Sequence, residues 1–296
     1  MLTSCARDLT DEGSMKLCVV WACRAALLGF AVSVGSAAFW PTAAVACGPD
    51  SRCKIGDRHY YVRMPAGHDG KTKVGAVIYA HGYMGTAKRV MANKWFRQLA
   101  NRMGVAFIAP KSSGGDWSLP NSPSRMRGAA PVDELAYFDR LLEDVARRFA
   151  IDTKRILVTG FSAGGMMVWT LACHRSTKFA GFAPIAGTFW RPVPDTCTSP
   201  PASIIHMHGD RDPTVPINGR PIGPTHQGKV PRAIAMYAKF GKFGAPVKKQ
   251  RGNLNCEHRE NKAGDILEFC MFSGGHTFNS DYIRRAWEAL KAIGRL

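Results

Sequence analysis

The sequence lacks the patterns that mark most metal-binding and nucleic-acid-binding proteins. It has no Cys-x-x-Cys pair, no zinc-finger spacing and no basic helix with interleaved aromatic residues. Internal repeats and long low-complexity tracts are also missing. What remains is a chain of 296 residues, 46% of them hydrophobic, which is enough for one sizeable core. We therefore expect a single globular domain with no metal site and no nucleic-acid partner.

Acidic residues are scarce. There are 22 Asp and Glu against 40 Lys and Arg, which gives a formal net charge of +18 and a pI near 9.8. Basic and acidic residues cancel in the first 46 positions, so the whole excess belongs to the rest of the chain. This balance predicts attraction to polyanions, while the basic cluster at residues 248–251 is typical of a solvated surface.

The first 46 residues resemble a signal peptide. Lys16 and Arg24 precede the nearly apolar run from Ala25 to Trp40, and residues 44–46 (Ala-Val-Ala) fit the small-x-small cleavage rule. We predict a secreted or periplasmic mature chain of residues 47–296, with Met15 as an alternative start. An uncleaved membrane anchor and a lipoprotein acylated on Cys47 are the alternatives that the sequence leaves open.

Six cysteines lie beyond this segment, and an even number in an exported chain predicts three disulfides. Six cysteines allow fifteen pairings, and free buried cysteines are a further alternative. Sequential pairing is the simplest hypothesis, and it joins Cys47 to Cys53, Cys173 to Cys197 and Cys256 to Cys270.

Apolar, β-branched segments alternate with segments of helical periodicity along the mature chain. This order predicts an α/β fold with a mostly parallel central sheet and helices on both faces. The predicted strands are 58–64, 74–79, 105–110, 156–159, 179–185, 203–208 and 266–272, and the predicted helices are 91–103, 133–149, 166–172, 231–243 and 282–293. The long loop 111–130 is expected to shape a substrate pocket. Trp117 and Trp190 are candidate lining residues, and packing in the core or at the rim is an equal alternative for both.

One stretch, Gly160-Phe161-Ser162-Ala163-Gly164, joins a predicted strand to a predicted helix. It matches the G-x-S-x-G pattern of a nucleophile elbow, a tight turn that only small neighbours permit. Such a turn exposes the serine hydroxyl above a helix N-terminus, which favours developing negative charge. The alternative is a glycine-rich turn in another kind of α/β protein.

A serine nucleophile needs a base and an acid, and both have candidates at the ends of later strands. His276 lies in a glycine-rich loop before the last helix, and we predict that it is the base; the remaining histidines in polar contexts are interpreted as surface residues. Asp212, before a stiff Pro-Thr-Val-Pro segment, is the predicted acid, and Asp210 is the alternative. The chain order Ser, acid, His is the order expected of an α/β-hydrolase.

An oxyanion hole requires two backbone N–H groups. One is expected from Ala163, the residue after the nucleophile. The other is expected from Tyr83, in the loop after an earlier strand, although His81-Gly82 also fits an ordinary tight turn.

These motifs together resemble one family. His81-Gly82-Tyr83, the segment 158–165, His208-Gly209-Asp210-Arg211-Asp212 and Gly274-Gly275-His276-Thr277 are similar to exported α/β-hydrolase esterases of the polyhydroxybutyrate depolymerase and feruloyl esterase group. The resemblance implies cofactor-free hydrolysis of carboxylic esters by Ser162, Asp212 and His276, with Tyr83 and Ala163 as the oxyanion hole. Relatives often have Trp where this chain has Phe278. The chain ends about 20 residues after His276, so small or oligomeric esters are expected rather than solid polyester.

Three other functions remain as alternatives. A serine peptidase could use the same fold and residues, and a non-catalytic protein could bind partners through the basic surface. A metallohydrolase is suggested by His206-x-His208-x-Asp210, although the alternation of these residues also follows from a strand.

Overall fold

A ten-stranded sheet forms the centre of the computed structural model, which describes residues 47–126 and 132–296. The side chains of residues 125 and 126 are not described either. The predicted signal peptide, residues 1–46, therefore lies outside the described residues, as does the end of the predicted loop 111–130. All the described residues belong to one unit, Val45–Leu296.

The elements alternate as the sequence predicts. The strands are β1 (Cys53–Ile55), β2 (Arg58–Arg63), β3 (Val74–Ala80), β4 (Ala106–Pro110), β5 (Ile151–Phe161), β6 (Gly181–Ile185), β7 (Ile204–Gly209), β8 (Pro221–Ile222), β9 (Thr225–His226), β10 (Val247–Arg251), β11 (Leu254–Glu260) and β12 (Ile266–Phe272). The helices are α1 (Ala87–Ala92), α2 (Lys94–Met103), α3 (Pro123–Met126), α4 (Glu134–Arg148), α5 (Ala163–His174), α6 (Val230–Phe240) and α7 (Asp281–Ala292).

The large sheet has the order β1-β2-β4-β3-β5-β6-β7-β12-β11-β10, and β8 and β9 form a separate hairpin. The six central strands from β4 to β12 are parallel, whereas the strands at both edges pair in antiparallel fashion. Alternate residues of a strand face opposite sides, so Ala76 and Ile78 join the core under α4, α5 and α6, while Val77 and Tyr79 join the core under α1, α2 and α7. The predicted fold class is confirmed.

One predicted helix is divided in the structure, and further strands are present that the sequence does not predict. The single helix predicted at 91–103 is two helices, because Asn93 interrupts it: its side-chain oxygen accepts a hydrogen bond from Trp95 N and caps α2. Strands β10 and β11 were not predicted, because they are largely polar and lack the alternation of apolar residues that indicates a half-buried strand.

The three disulfides have the predicted sequential pairing. Cys256 lies directly opposite Cys270 on the antiparallel strands β11 and β12, and Cys173 ties the end of α5 to a later loop. Because Cys47 is bonded to Cys53, its sulfur is not available for acylation, which argues against the lipoprotein alternative. Within the part of the chain that is described, no helix is long and apolar enough to cross a membrane.

Two side chains in polar or irregular segments are buried: His258, which the sequence predicts at the surface, and Trp117, for which packing in the core is one of the alternatives. Trp117 is 0% exposed, and its Nε1–H donates a hydrogen bond to the carbonyl oxygen of His81 at 2.8 Å. His258 is buried between the carboxylates of Glu260 and Glu268, 2.7 Å from each. Neither burial could be read from the polar residues around them, because distant segments of the chain cover both.

Candidate active site

Ser162 occupies the turn between β5 and α5 in a backbone conformation that is rare for a side-chain-bearing residue. Its φ is 59° and its ψ is −121°, which costs on the order of 1–3 kcal/mol and persists only where the surroundings impose it. Here Ser162 N donates to Ile185 O at 2.9 Å, and Ser162 O accepts from Met166 N at 3.0 Å. The first turn of α5 therefore begins directly behind the hydroxyl.

Glycine is required on both sides of this turn because the backbones nearly touch. A Cβ atom at Gly164 would lie 1.9 Å from the carbonyl oxygen of Ala80, at the end of β3. At Gly160 it would lie 2.6 Å from Gly164 O. The G-x-S-x-G spacing therefore reflects the close approach of β3, β5 and α5 around Ser162.

The structure joins His276 to Asp212. His276 Nδ1 lies 2.7 Å from Asp212 Oδ2, and the other carboxylate oxygen of Asp212 accepts from Thr214 N and Val215 N at 2.8 Å each. Asp210, the alternative acid, instead accepts from Gly274 N at 2.9 Å. Asp212 therefore contacts the imidazole itself, whereas Asp210 holds the backbone of the loop that carries it.

The environment of Asp212 keeps its carboxylate ionised. Burial acts to raise its pKa, but the hydrogen bond from His276 and those from the Val215 and Thr214 amides outweigh this effect and lower the pKa. An ionised carboxylate accepts a hydrogen bond from the N–H at Nδ1. This leaves Nε2 as the nitrogen of His276 that can act as the base.

Aromatic side chains place the His276 ring beside the serine turn. The ring packs against Phe161, the neighbour of Ser162, with centroids 4.5 Å apart. Phe278 packs against Phe161 at 5.8 Å and against Tyr79 at 5.5 Å, measured between ring centroids. Its ring therefore supports Phe161, the side chain against which the His276 ring lies.

Ser162, Ala163 and Tyr83 line one cavity of about 250 Å³. The backbone N–H groups of Tyr83 and Ala163 have no hydrogen-bond acceptor among the described residues. Two such groups beside a serine are the donors that a developing oxyanion needs.

The loop that carries Tyr83 is fixed by its neighbours. His81 lies 2.9 Å from Gly82 O through Nδ1, and its Nε2 accepts from Ser112 N at 3.3 Å. Burial is the main cause that lowers the pKa of His81, so the ring stays neutral and can fill both roles. Met84 N donates to Gly115 O at 2.7 Å. The His81-Gly82 turn is therefore held from the side of the loop 111–130.

The rest of the cavity comes from three regions. Loop 111–130 supplies Asp116 and Pro123, as the sequence predicts for this segment, and Trp190 also lines the cavity, whereas the buried Trp117 does not. The β8–β9 hairpin contributes Arg220, Ile222 and Gln227. This hairpin is not predicted from the sequence, where its local signals are the turn glycines 219 and 223.

His206 and His208, which suggested a metal site, are linked in a hydrogen-bonded chain. Trp169 Nε1 donates to His206 Nδ1 at 3.1 Å, His206 Nε2 lies 3.0 Å from His208 Nδ1, and His208 Nε2 lies 2.8 Å from Val215 O. Every ring nitrogen of the pair is thus engaged by protein. This arrangement explains both histidines as buried structural residues behind the Asp212 turn.

Comparisons with known proteins point to esterases. A family model described as Phospholipase/Carboxylesterase matches residues 133–221. A probable feruloyl esterase C from Aspergillus niger is 25% identical over 232 residues, which are 75% of this chain and 77% of that protein. Feruloyl esterase B of Piromyces equi is 27% identical over 249 residues, which are 79% of this chain and 45% of that protein. The chain thus spans less than half of the second relative.

A solved structure supports the fold. The acetyl xylan esterase from Aspergillus awamori superposes with a TM-score of 0.57 at 17% sequence identity, covering 85% of this chain and 97% of that one. At this identity the likeness concerns the arrangement of strands and helices, which here is the α/β-hydrolase arrangement.

Proposed function

We propose that this chain, which has the α/β-hydrolase fold, is an exported serine carboxylesterase similar to feruloyl esterases and polyhydroxybutyrate depolymerases. The observation that carries the proposal is the hydrogen bond of 2.7 Å between His276 and Asp212 beside the Ser162 turn. A serine, a histidine and a buried carboxylate in this relation are the groups that acyl transfer to serine uses.

In the first half of the reaction, Ser162 Oγ attacks the carbonyl carbon of the ester. His276 Nε2 accepts the hydroxyl proton, and the ionised Asp212 stabilises the imidazolium that forms. The carbonyl oxygen becomes an oxyanion, to which Tyr83 N–H and Ala163 N–H donate. The tetrahedral intermediate collapses, His276 protonates the leaving alcohol, and an acyl group remains on Ser162.

In the second half, water attacks the acyl carbon. His276 takes one proton from the water, and the same two N–H groups stabilise the new oxyanion. Collapse breaks the bond between the acyl carbon and Ser162 Oγ, and His276 returns its proton to Oγ, which releases the acid and restores the hydroxyl. The positive φ of Ser162 keeps its hydroxyl in place through both halves, because the turn is fixed by hydrogen bonds to Ile185 and Met166.

Export is supported by the cysteines. All six cysteines of residues 47–296 are paired in disulfides, and disulfides persist mainly in oxidising compartments. The predicted signal peptide at residues 1–46 supplies the route, and small or oligomeric esters that fit a cavity of about 250 Å³ are the proposed substrates.

The test is hydrolysis of 4-nitrophenyl butyrate by residues 47–296. We expect turnover by the wild type and a loss of about 10⁶-fold in kcat for Ser162→Ala, since removing the nucleophile of a serine hydrolase costs roughly that much. Ser199→Ala is the matched control, because it removes a hydroxyl outside the cavity and should leave turnover intact. Equal rates for Ser162→Ala and the wild type, or turnover of peptides but not of esters, would refute the proposal.

A further inference from the structure

A short hairpin places an arginine and a glutamine in the Ser162 cavity. Arg220 directly precedes β8 and Gln227 directly follows β9, and Gln227 N donates to Arg220 O at 2.9 Å. Both side chains line the cavity together with Ser162. The hairpin is fixed in turn, because Arg191 N donates to His226 O and Gly228 N to Phe189 O.

Arg220 is a half-buried cation that forms no salt bridge with any described residue. Its Nε donates to Thr214 O at 2.8 Å, and no carboxylate among the described residues lies within salt-bridge distance of its guanidinium. The anchor at Nε orients the two terminal nitrogens as a fixed fork. A guanidinium beside a partly desolvated cavity gains most from an anionic partner.

Gln227 is 4% exposed, and its Oε1 has no hydrogen-bond partner among the described residues. Buried polar atoms are normally paired, so this oxygen marks an amide that is not fixed by the described residues. The oxygen itself can only accept, and it is the NH₂ group of the same amide that can donate to an anionic group in the cavity.

The other charged side chain that is described at this cavity is Asp116. Its Oδ1 accepts from Trp117 N at 2.8 Å, so this carboxylate is already engaged by its own loop. The guanidinium of Arg220 favours an anionic ligand, whereas the carboxylate of Asp116 favours a cationic one. The guanidinium, which has no carboxylate partner in the described part of the chain, and the net charge of +18 over the whole chain both favour an anionic ligand.

We propose that Arg220 and Gln227 form a carboxylate-binding site, so that the preferred substrates are esters that carry a second, ionised carboxyl group. The guanidinium fork would donate two parallel N–H···O bonds to that carboxylate, and the Gln227 amide would donate a third. This inference rests on the proposed esterase function of Ser162 and names the substrate class of the same site.

The first test places the carboxylate on the acyl side. Mono-4-nitrophenyl adipate and 4-nitrophenyl hexanoate share a six-carbon acyl chain and differ at its end, which is a carboxylate in one and a methyl group in the other. We expect kcat/KM for the wild type at pH 7.5 to be about 10- to 100-fold higher for the adipate, as for a hydrogen-bonded charged pair. A second pair, the butyrate ester of 4-hydroxybenzoate and phenyl butyrate, places the carboxylate on the alcohol side. Preference for the anionic member of either pair supports the inference and shows which half of the substrate binds there.

The variants test which residues cause the preference. Arg220→Gln should lower the anionic-to-neutral ratio of kcat/KM by about 10- to 100-fold. The ratio is the readout because loss of the Nε bond to Thr214 will affect both substrates alike. Gln227→Met should lower the ratio less, since it removes an uncharged donor. Arg232→Gln, which removes one positive charge outside the cavity, should leave the ratio unchanged and controls for long-range attraction.

A wild-type ratio near one in both pairs would overturn the inference, as would an unchanged ratio in Arg220→Gln. Preference for a cationic ester would also overturn it and would assign the specificity to Asp116. None of these results affects the proposed function as long as the neutral ester is hydrolysed and Ser162→Ala is inactive. Absence of all ester hydrolysis would instead refute the proposed function itself.

Discussion

Two aspartates, two positions apart, contact different parts of the loop that carries His276. Asp212 bonds to the imidazole, and Asp210 bonds to Gly274 N. Asp212→Asn removes the negative charge that orients the ring and stabilises the imidazolium, so we predict a loss of about 10⁴-fold in kcat for 4-nitrophenyl butyrate.

Asp210→Asn is the matched control, because Asp210 is exposed and the asparagine keeps a side-chain oxygen that can accept from Gly274 N. We predict a kcat within a few-fold of the wild type. A larger loss in Asp210→Asn than in Asp212→Asn would reverse the assignment of the acid.

Some residues at this site could be found from the sequence and others could not. Ser162 and His276 lie in glycine-rich patterns that turn chemistry demands, and such patterns are local. The choice between Asp212 and Asp210 depends on how the backbone turns after β7, where Thr214 N and Val215 N reach back to Asp212. The proposed role of Arg220 and Gln227 in substrate binding had no local signal in the sequence. It depends on how the β8–β9 hairpin packs against residues 189–191.

At the scale of elements, the serine turn depends on how closely α5 approaches β3. A methyl group at Gly164 would overlap the carbonyl oxygen of Ala80, a backbone atom that cannot move without displacing the strand. We predict that Gly164→Ala either does not accumulate as folded protein or loses more than about 100-fold in kcat, because small displacements of catalytic groups have effects of that order.

Gly48→Ala is the comparison for this prediction. A Cβ atom there would meet nothing within 4 Å, so we expect melting temperature and kcat to match the wild type within error. Circular dichroism and ester turnover of both variants make the check. A Gly164→Ala protein with normal stability and turnover would show that the close approach is not required.

Elements with strong apolar periodicity were predictable from sequence, and their ends were not. Helix α4 begins after Asp133, whose side chain accepts from Ala136 N as an N-cap, and this start was visible in the sequence. The break between α1 and α2 was not, since one apolar pattern runs across it and Asn93 alone separates the two helices. The polar edge strands β10 and β11 are specified by pairing with β12 rather than by their own residues.

At the scale of the whole molecule, buried neutral histidines couple folding to pH. Burial lowers the pKa of His206 well below its usual value, and burial is also the largest influence that lowers the pKa of His208 and His81. The unfolded chain therefore binds protons more readily than the folded chain. The contribution of these histidines to stability is fully present above the pKa of histidine in the unfolded chain, about 6.5, and it is lost as the pH falls below that value.

We therefore predict that the free energy of unfolding, measured by urea denaturation, decreases between pH 7.5 and pH 5. His206→Gln should show a shallower dependence on pH, because the fully buried titrating ring is gone while the other two remain. A stability that is constant or increases over this range would contradict the assignment of these rings as neutral in the folded state.

If Ser162 is the nucleophile of an esterase, a reagent that reacts with activated serines will label it covalently. Residues 47–296 would be incubated with a fluorophosphonate, which phosphonylates activated serines with loss of fluoride, and analysed by intact mass and peptide mapping. We predict one adduct per chain, on the peptide that contains Ser162, with parallel loss of ester hydrolysis and no adduct on Ser162→Ala. Hydrolysis that persists in an unlabelled protein, or an adduct on another serine that abolishes hydrolysis, would contradict this prediction.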